Sequence, residues 1–318
     1  MNAPDISFVI PCFNAAAWVA EAIESALAQE GFEKEVIVVD DGSTDESRKK
    51  LSAFGGTIRA DFRPHGGASA ARNRGTELAA GRFIQYLDSD DRLRPGAAKK
   101  RIDALETSGA DVAYSDWQLL ESYNGLGYEP GAVIRKKIED VHTDPEIAVF
   151  TDFWAPPGAI LYRRSLVDRI GDWNESLAVI QDARFLLDAA LCGGRFVHVD
   201  GIGMDYRVRG TGLSRLDSRA LTRECFVNAV QVRRIWEERG ALDGERRRAL
   251  LRVLGQTARA SYGKDADTFE SAYRMMNEIK PGHVPQGSKP FRALSLLVGY
   301  RTAEWIASRY RTWSEPLG

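Results

Sequence analysis

The 318-residue chain is 44% hydrophobic and 28% charged, proportions of a folded globular protein that exclude global disorder. Its net charge of -2 hides an asymmetry: residues 218–318 carry 18 Lys/Arg against 11 Asp/Glu, whereas residues 1–217 carry 25 against 34. An acidic first part whose aromatics do not interleave with a basic stripe argues against nucleic-acid binding.

Cys12, Cys192 and Cys225 are widely spaced with no CxxC pair, so neither a disulfide framework nor a zinc site is expected. No basic region followed by an apolar stretch opens the chain, and the late apolar run 293–300 is too short to span a bilayer. The expected location is the cytoplasm, with at most peripheral contact at the inner face of the cell membrane. The length allows one large α/β domain with an appendage, or two modest domains.

Ile6–Ile10 reads as a strand that Pro11 should stop, since proline cannot donate to a continuing ladder. Asn14 then reads as the N-cap of a helix over 15–29, where Trp18/Val19, Ala22/Ile23 and Ala26/Leu27 recur at helical spacing. Glu35–Val39 is a second strand and ends in Asp40-Asp41-Gly42-Ser43. Strand, helix, strand predicts a parallel pair, and ligands bind where parallel strands finish.

A helix over 44–54 and a strand over 57–62 lead to the loop Arg63-Pro64-His65-Gly66-Gly67, which opens a helix carrying Arg72 and Arg74. The two glycines allow close approach of backbone to a ligand, and the helix start favours anions. Phe83–Leu87 reads as a buried strand that delivers Asp88-Ser89-Asp90-Asp91 to a sheet edge. Three aspartates within four residues repel one another unless a cation lies between them, and hard oxygens suit Mg²⁺ or Mn²⁺ holding a substrate diphosphate. A solvated acidic turn is the alternative for this stretch taken alone.

Pro95 starts a helix to about 108, and Asp111–Trp117 is a strand. Residues 118–147 lose periodicity and read as a variable insertion, with strand pieces near 132–137, bordering an acceptor. Trp154 and Trp173 could stack on a sugar ring or fill the core. Asp182 falls in the first turn of a helix carrying Phe185, Leu186, Ala189 and Ala190, where a carboxylate caps or compensates the dipole by default. Strands over 195–199 and 204–208 precede the basic loop 209–215. From 218 onward only helices are predicted, over 218–239, 245–262, 266–279 and 290–311. The last, with Phe291, Leu294, Leu297, Val298 and Trp305 among arginines, reads as a membrane-contact helix, a cap packed on the catalytic domain or a dimer partner.

Taken in order, Phe8-Val9-Ile10-Pro11-Cys12-Phe13-Asn14, Val38-Val39-Asp40-Asp41-Gly42-Ser43, the 67–75 segment, Tyr86-Leu87-Asp88-Ser89-Asp90-Asp91 and Gln181-Asp182 resemble the inverting family-2 glycosyltransferases of bacterial type. The likeness covers residues 5–215 and reaches the Tyr206-Arg207…Ser214 loop. It implies an α/β GT-A fold, a mostly parallel sheet flanked by helices, with a catalytic domain over 1–217 and a helical extension over 218–318. It further implies a hexosyltransferase that moves a sugar from a nucleotide-diphospho-sugar, a UDP-sugar first among them, to a glycan, polysaccharide or lipid-linked hydroxyl.

The resemblance places Pro11, Phe13, Asn14, Asp40, Asp41, Arg72, Asp88 and Ser89 around the donor. It places Asp90 and Asp88 at Mn²⁺ or Mg²⁺, and Asp182 at the catalytic base. The family more often has Glu-Asp followed by an aromatic where this chain has Gln181-Asp182-Ala183-Arg184, which bears on the acceptor contacts.

A nucleotidyltransferase would carry a glycine-rich, basic loop after the first strand, where Pro11-Cys12-Phe13-Asn14 stands, and an NAD enzyme would need GxGxxG there. A non-catalytic nucleotide-sugar or carbohydrate-binding module is the class-level alternative.

Overall fold

The computed structural model describes residues 3–122, 127–209, 217–285 and 287–314, with side chains through 309. The chain divides into two compact units, 1–212 and 213–318. In the first, nine strands form one sheet: β1 (Ile6–Cys12), β2 (Lys34–Asp41), β3 (Arg59–Arg63), β4 (Phe83–Tyr86), β5 (Arg92–Leu93), β6 (Val112–Ser122), β7 (Tyr128–Ile134), β8 (Ile160–Arg163) and β9 (Phe196–Val208). The order is β3-β2-β1-β4-β8-β6-β9-β5, with β7 on the far part of β6. The first four are mutually parallel; β8 enters antiparallel to β4 and β6, and β9 runs parallel to β6.

The parallel half is the predicted α/β architecture, and its local causes are plain. Every residue of β1 is buried, as a continuous apolar run covered on both faces requires. Helix α1 (Val19–Leu27) buries Val19, Ala22, Ile23 and Ala26, one face at i, i+3, i+4 and i+7. α2 (Ser47–Ala53) and α3 (Ala68–Leu78) follow, and α3 packs on β1 and β2 so closely that a Cβ at Gly75 would lie 2.3 Å from Val9 Cγ1. α4 (Ala97–Ser108) ends at Gly109 and packs on β6 and β9. α5 (Ile138–Val141), α6 (Pro145–Thr151), α7 (Arg164–Ile170) and α8 (Gln181–Leu191) complete this unit.

Several expectations are corrected here. Pro11 lies inside β1, paired with Val39. Val9 O accepts from Leu87 N on the β4 side, so Pro11, two residues on, turns its missing N–H to that same side, where β4 has ended. β6 runs to Ser122 and β7 begins at Tyr128, so part of the aperiodic 118–147 stretch belongs to the sheet. The two strands expected over 195–208 are one, β9, whose register against β6 shifts near Asp116.

The second unit is helical: α9 (Ser218–Glu238), α10 (Gly244–Ser261), α11 (Ala266–Ile279), α12 (Lys289–Val298) and α13 (Tyr300–Ser314). The single helix expected over 290–311 is two, separated by Gly299. Asp217, Asp243, Asp265 and Ser288 each accept backbone N–H bonds at a helix start, so these boundaries are set by side-chain caps. Among the described residues no helix is long and apolar enough to cross a membrane.

Candidate active site

Strands β2, β1 and β4 are adjacent and parallel, so their C-terminal ends open on one edge of the sheet. Two strand spacings separate β2 from β4, about 10 Å, and each of the two delivers carboxylates.

At the end of β2 both carboxylates are buried, Asp40 fully and Asp41 to 2% exposure. Asp40 Oδ1 accepts from Ser43 N (3.1 Å) and Arg48 Nε (2.8 Å), while its Oδ2 has no partner. Asp41 accepts the N–H groups of Gly66 (3.0 Å) and Gly67 (2.7 Å), and His65 Nδ1 lies 2.8 Å from Oδ2. The two glycines expected to let the backbone approach a ligand thus turn their N–H groups to the protein's own carboxylate. Gly67 reaches this position at φ 93°, a left-handed backbone that a side chain would strain.

His65 in turn stacks on Phe13, ring centroids 4.2 Å apart, and Phe13 is 45% exposed at the edge. Asn14 does not cap α1, which starts five residues later. It adopts φ 48°, its N–H donates to Ser43 Oγ (2.9 Å), and its Oδ1 accepts from Thr44 N (2.8 Å). Asn14 therefore ties the loop after β1 to the loop after β2, through the ability of its side chain to stabilise a left-handed residue.

At the end of β4, the cations demanded by three clustered aspartates are arginines. Arg72, 3% exposed, sends one arm to Asp88 Oδ1 (2.5 Å) and the other to Gln181 Oε1 (3.0 Å), with its guanidinium 4.5 Å from the Trp173 ring centre. Ser69 Oγ donates to the same Gln181 oxygen (2.7 Å). Arg209 Nε lies 2.6 Å from Asp90 Oδ2, its guanidinium over Trp18. Arg207 N donates to Asp91 Oδ1 (2.7 Å), and its side chain reaches the Asp90 carbonyl and Glu21. Burial, then the neighbouring Asp88 charge, raises the Asp90 carboxyl above the ordinary range; burial with both neighbours raises Asp91 further. Ser89 is half-buried in the turn between them.

Asp182 lies in the first turn of α8, and α8 has no side-chain cap. Its Oδ2 accepts the indole N–H of Trp154 (2.9 Å) and its Oδ1 the N–H of Ala183 (2.8 Å). Burial raises its pKa, with Asp88 adding to the rise and Arg72 opposing it, which places Asp182 within electrostatic reach of the β4 carboxylates. Tyr206 feels Asp91, Asp88, Asp182 and Asp90 together and packs edge-on to Trp154. Trp154 thus borders the site, whereas Trp173 is core, stacked on Phe185 at 4.1 Å. His198 is committed to Asp116, 2.8 Å away. Ser214 lies outside the described residues.

The structure brings Pro11, Phe13, Asn14, Asp40 and Asp41 to one part of the edge, and Arg72, Asp88, Ser89, Asp90 and Asp182 to the other. Sequence reasoning missed the roles of Gln181, Arg207 and Arg209. Their signal was faint: a glutamine beside an aspartate, an arginine within a strand read over 204–208, and another opening the basic loop.

The oxygens present fit a divalent ion. Asp91 Oδ2 is buried without a partner, and the repulsion raising Asp90 is the kind a cation relieves. No closed group of three or more ligating side chains exists among the described residues.

A mixed sheet whose parallel half ends in paired carboxylates, with a half-buried aspartate at the start of α8, is the arrangement of the α/β sugar-transferase class. Residues 7–171 match the family Glycosyl transferase family 2, and the chain belongs to it. The chain spans less than two thirds of the length of several of the curated relatives it matches. It is 30% identical over 234 residues to the succinoglycan biosynthesis protein ExoO of Rhizobium meliloti, a match covering 67% of this chain and 63% of that protein. It is 32% identical over 127 residues to glycosyltransferase GlyG of Streptococcus pneumoniae, covering 39% of this chain and 42% of that one.

The fold is that of GT-A glycosyltransferases. The S. aureus TarS fragment 1-349 in complex with UDP-GlcNAc superposes with a TM-score of 0.64 at 17% identity, over 96% of this chain and 92% of that one. The mannosyltransferase PcManGT from Pyrobaculum calidifontis, in complex with GDP-Man and Mn²⁺, superposes with a TM-score of 0.53 at 14% identity, over 96% and 87%.

Proposed function

We propose that the chain transfers a sugar, with inversion and metal dependence, from a nucleotide-diphospho-sugar to a hydroxyl of a glycan or lipid-linked acceptor. The observation that carries this reading is the fork of Arg72, which binds Asp88 Oδ1 with one arm and Gln181 Oε1, beside Asp182, with the other, and so joins the strand-end carboxylates to the helix that carries the proton acceptor. The catalytic domain is 1–217 and the helical extension 218–318. The nucleotide lies along the edge from Phe13, Asn14 and Asp41 to Asp88 and Ser89, with Pro11 and Asp40 behind it.

Asp90 and Asp88 would hold Mn²⁺ or Mg²⁺, which neutralises the departing diphosphate when bound. Arg72 holds Asp88 in place and Arg209 moves its charge toward the phosphates. Asp182 takes the proton of the acceptor hydroxyl as its oxygen bonds to the anomeric carbon and the bond to the diphosphate oxygen breaks. One displacement inverts the centre. A UDP-sugar donor is supported by the UDP-GlcNAc complex of TarS, the metal by the Mn²⁺ complex of PcManGT, and a polysaccharide acceptor by the name of ExoO.

Calorimetric titration of UDP tests this assignment. Binding is expected to tighten with Mn²⁺, and Asp90→Asn is expected to abolish the difference. Equal affinity in Mn²⁺ and in EDTA for the wild type would contradict it.

A further inference from the structure

The second unit ends in a helix pair that leaves several large apolar side chains exposed. On α12, Ser295 is 3% exposed, while Leu296 and Leu297 are 75% and 82% exposed. On α13, Glu304 is fully buried, held by Arg259 Nε at 3.0 Å, while Trp305 and Ile306 are 51% and 38% exposed. Val298 joins them at the turn. Water alone favours the reverse, with leucine inside and serine outside, and clustered exposed apolar groups mark an interaction surface.

The charges on the same segment identify the partner. Lys289, Arg292, Arg301 and Arg309 are exposed, and the one acid between 287 and 309, Glu304, is withdrawn into the unit. Arg301 also pairs with Glu270 of α11, and the Arg309 guanidinium lies over the Trp305 ring at 5.1 Å. Exposed leucines and a tryptophan rimmed by cations complement a bilayer with anionic headgroups: the apolar side chains enter the acyl boundary, tryptophan sits at headgroup level, and the arginines meet phosphates. An apolar patch for a second protein copy would need acids as well as bases to be self-complementary, and the exposed charges of 287–309 are all basic.

We propose that α12 and α13 form a peripheral docking surface for anionic lipid bilayers.

The test is co-sedimentation of the full chain with vesicles of phosphatidylcholine alone and of phosphatidylcholine with about one-third phosphatidylglycerol. Partitioning is expected to be at least about tenfold higher on the anionic vesicles, and to fall with added salt. Leu296→Ser/Leu297→Ser and, separately, Lys289→Gln/Arg292→Gln are each expected to reduce it about fivefold or more, with an unchanged melting temperature because these side chains are exposed. Equal sedimentation with both vesicles would overturn the proposal, as would wild-type partitioning by the leucine variant. So would light scattering that shows a dimer which the leucine variant dissociates while vesicles stay unbound.

Discussion

Replacing Trp154 with phenylalanine removes one atom group that matters, the indole N–H 2.9 Å from Asp182 Oδ2, and leaves an aromatic ring for the edge contacts with Trp117 and Tyr206. A hydrogen bond to a charged acceptor is worth about 1.5–3 kcal/mol. That bond favours the charged carboxylate, so its loss raises the Asp182 pKa further above the ordinary range. That adds to the elevation burial already imposes. In the proposed role the deprotonated carboxylate is the working form, so activity is expected to fall as pH drops through this pKa, and the acid limb of the kcat profile to move upward in the variant.

A second effect persists on the plateau above that limb. Asp182 keeps only the bond to Ala183 N and loses its orientation, which costs about 10–100-fold in kcat. Donor affinity is expected to stay at the wild-type value. The assay is release of nucleoside diphosphate across pH 4–9 with titration of UDP alongside. An unshifted acid limb together with a wild-type plateau would refute the claim that Trp154 positions the base.

Two further substitutions probe the frame of the site. Gly75→Ala places a Cβ 2.3 Å from Val9 Cγ1, and overpacking of about 1–3 kcal/mol exceeds the gain of up to about 1 kcal/mol from alanine in a helix. The melting temperature should fall by a few degrees at about 2–4 °C per kcal/mol. A rise would show that α3 does not press on the sheet there. Arg72→Lys keeps the charge but loses the fork that joins Asp88 to Gln181 and the stacking on Trp173. A fall of about tenfold or more in kcat/KM is expected, with reduced thermal stability, and wild-type values of both would contradict the clasp.

The parallel half of the sheet and its acidic strand ends were legible in the sequence because they rest on local signals: apolar runs of strand length closed by Asp40-Asp41 and Asp88-Ser89-Asp90-Asp91. Pro11 misled because its cost depends on which side of β1 it faces and where β4 stops, neither a local property. Asn14 carries the composition of a helix cap, yet Ser43 and Thr44, about 30 residues away, claim its polar groups. The burial of Arg72 is not a local property either, since Trp173 and Gln181, both more than 100 residues away, lie against its guanidinium. The Trp154–Asp182 bond is invisible for the same reason: it spans 28 residues with no periodicity to announce it.

The central claim is that Asp182 accepts the acceptor proton at a site where the donor is held by other residues. Asp182→Asn keeps the side-chain shape and an oxygen able to accept the Trp154 N–H, so folding and Mn²⁺-supported UDP binding should match the wild type. General-base catalysis is worth about 10²–10⁴ in rate, so sugar transfer should fall by at least about a hundredfold. A purified Asp182→Asn protein that binds UDP normally and transfers sugar at near the wild-type rate would contradict the account.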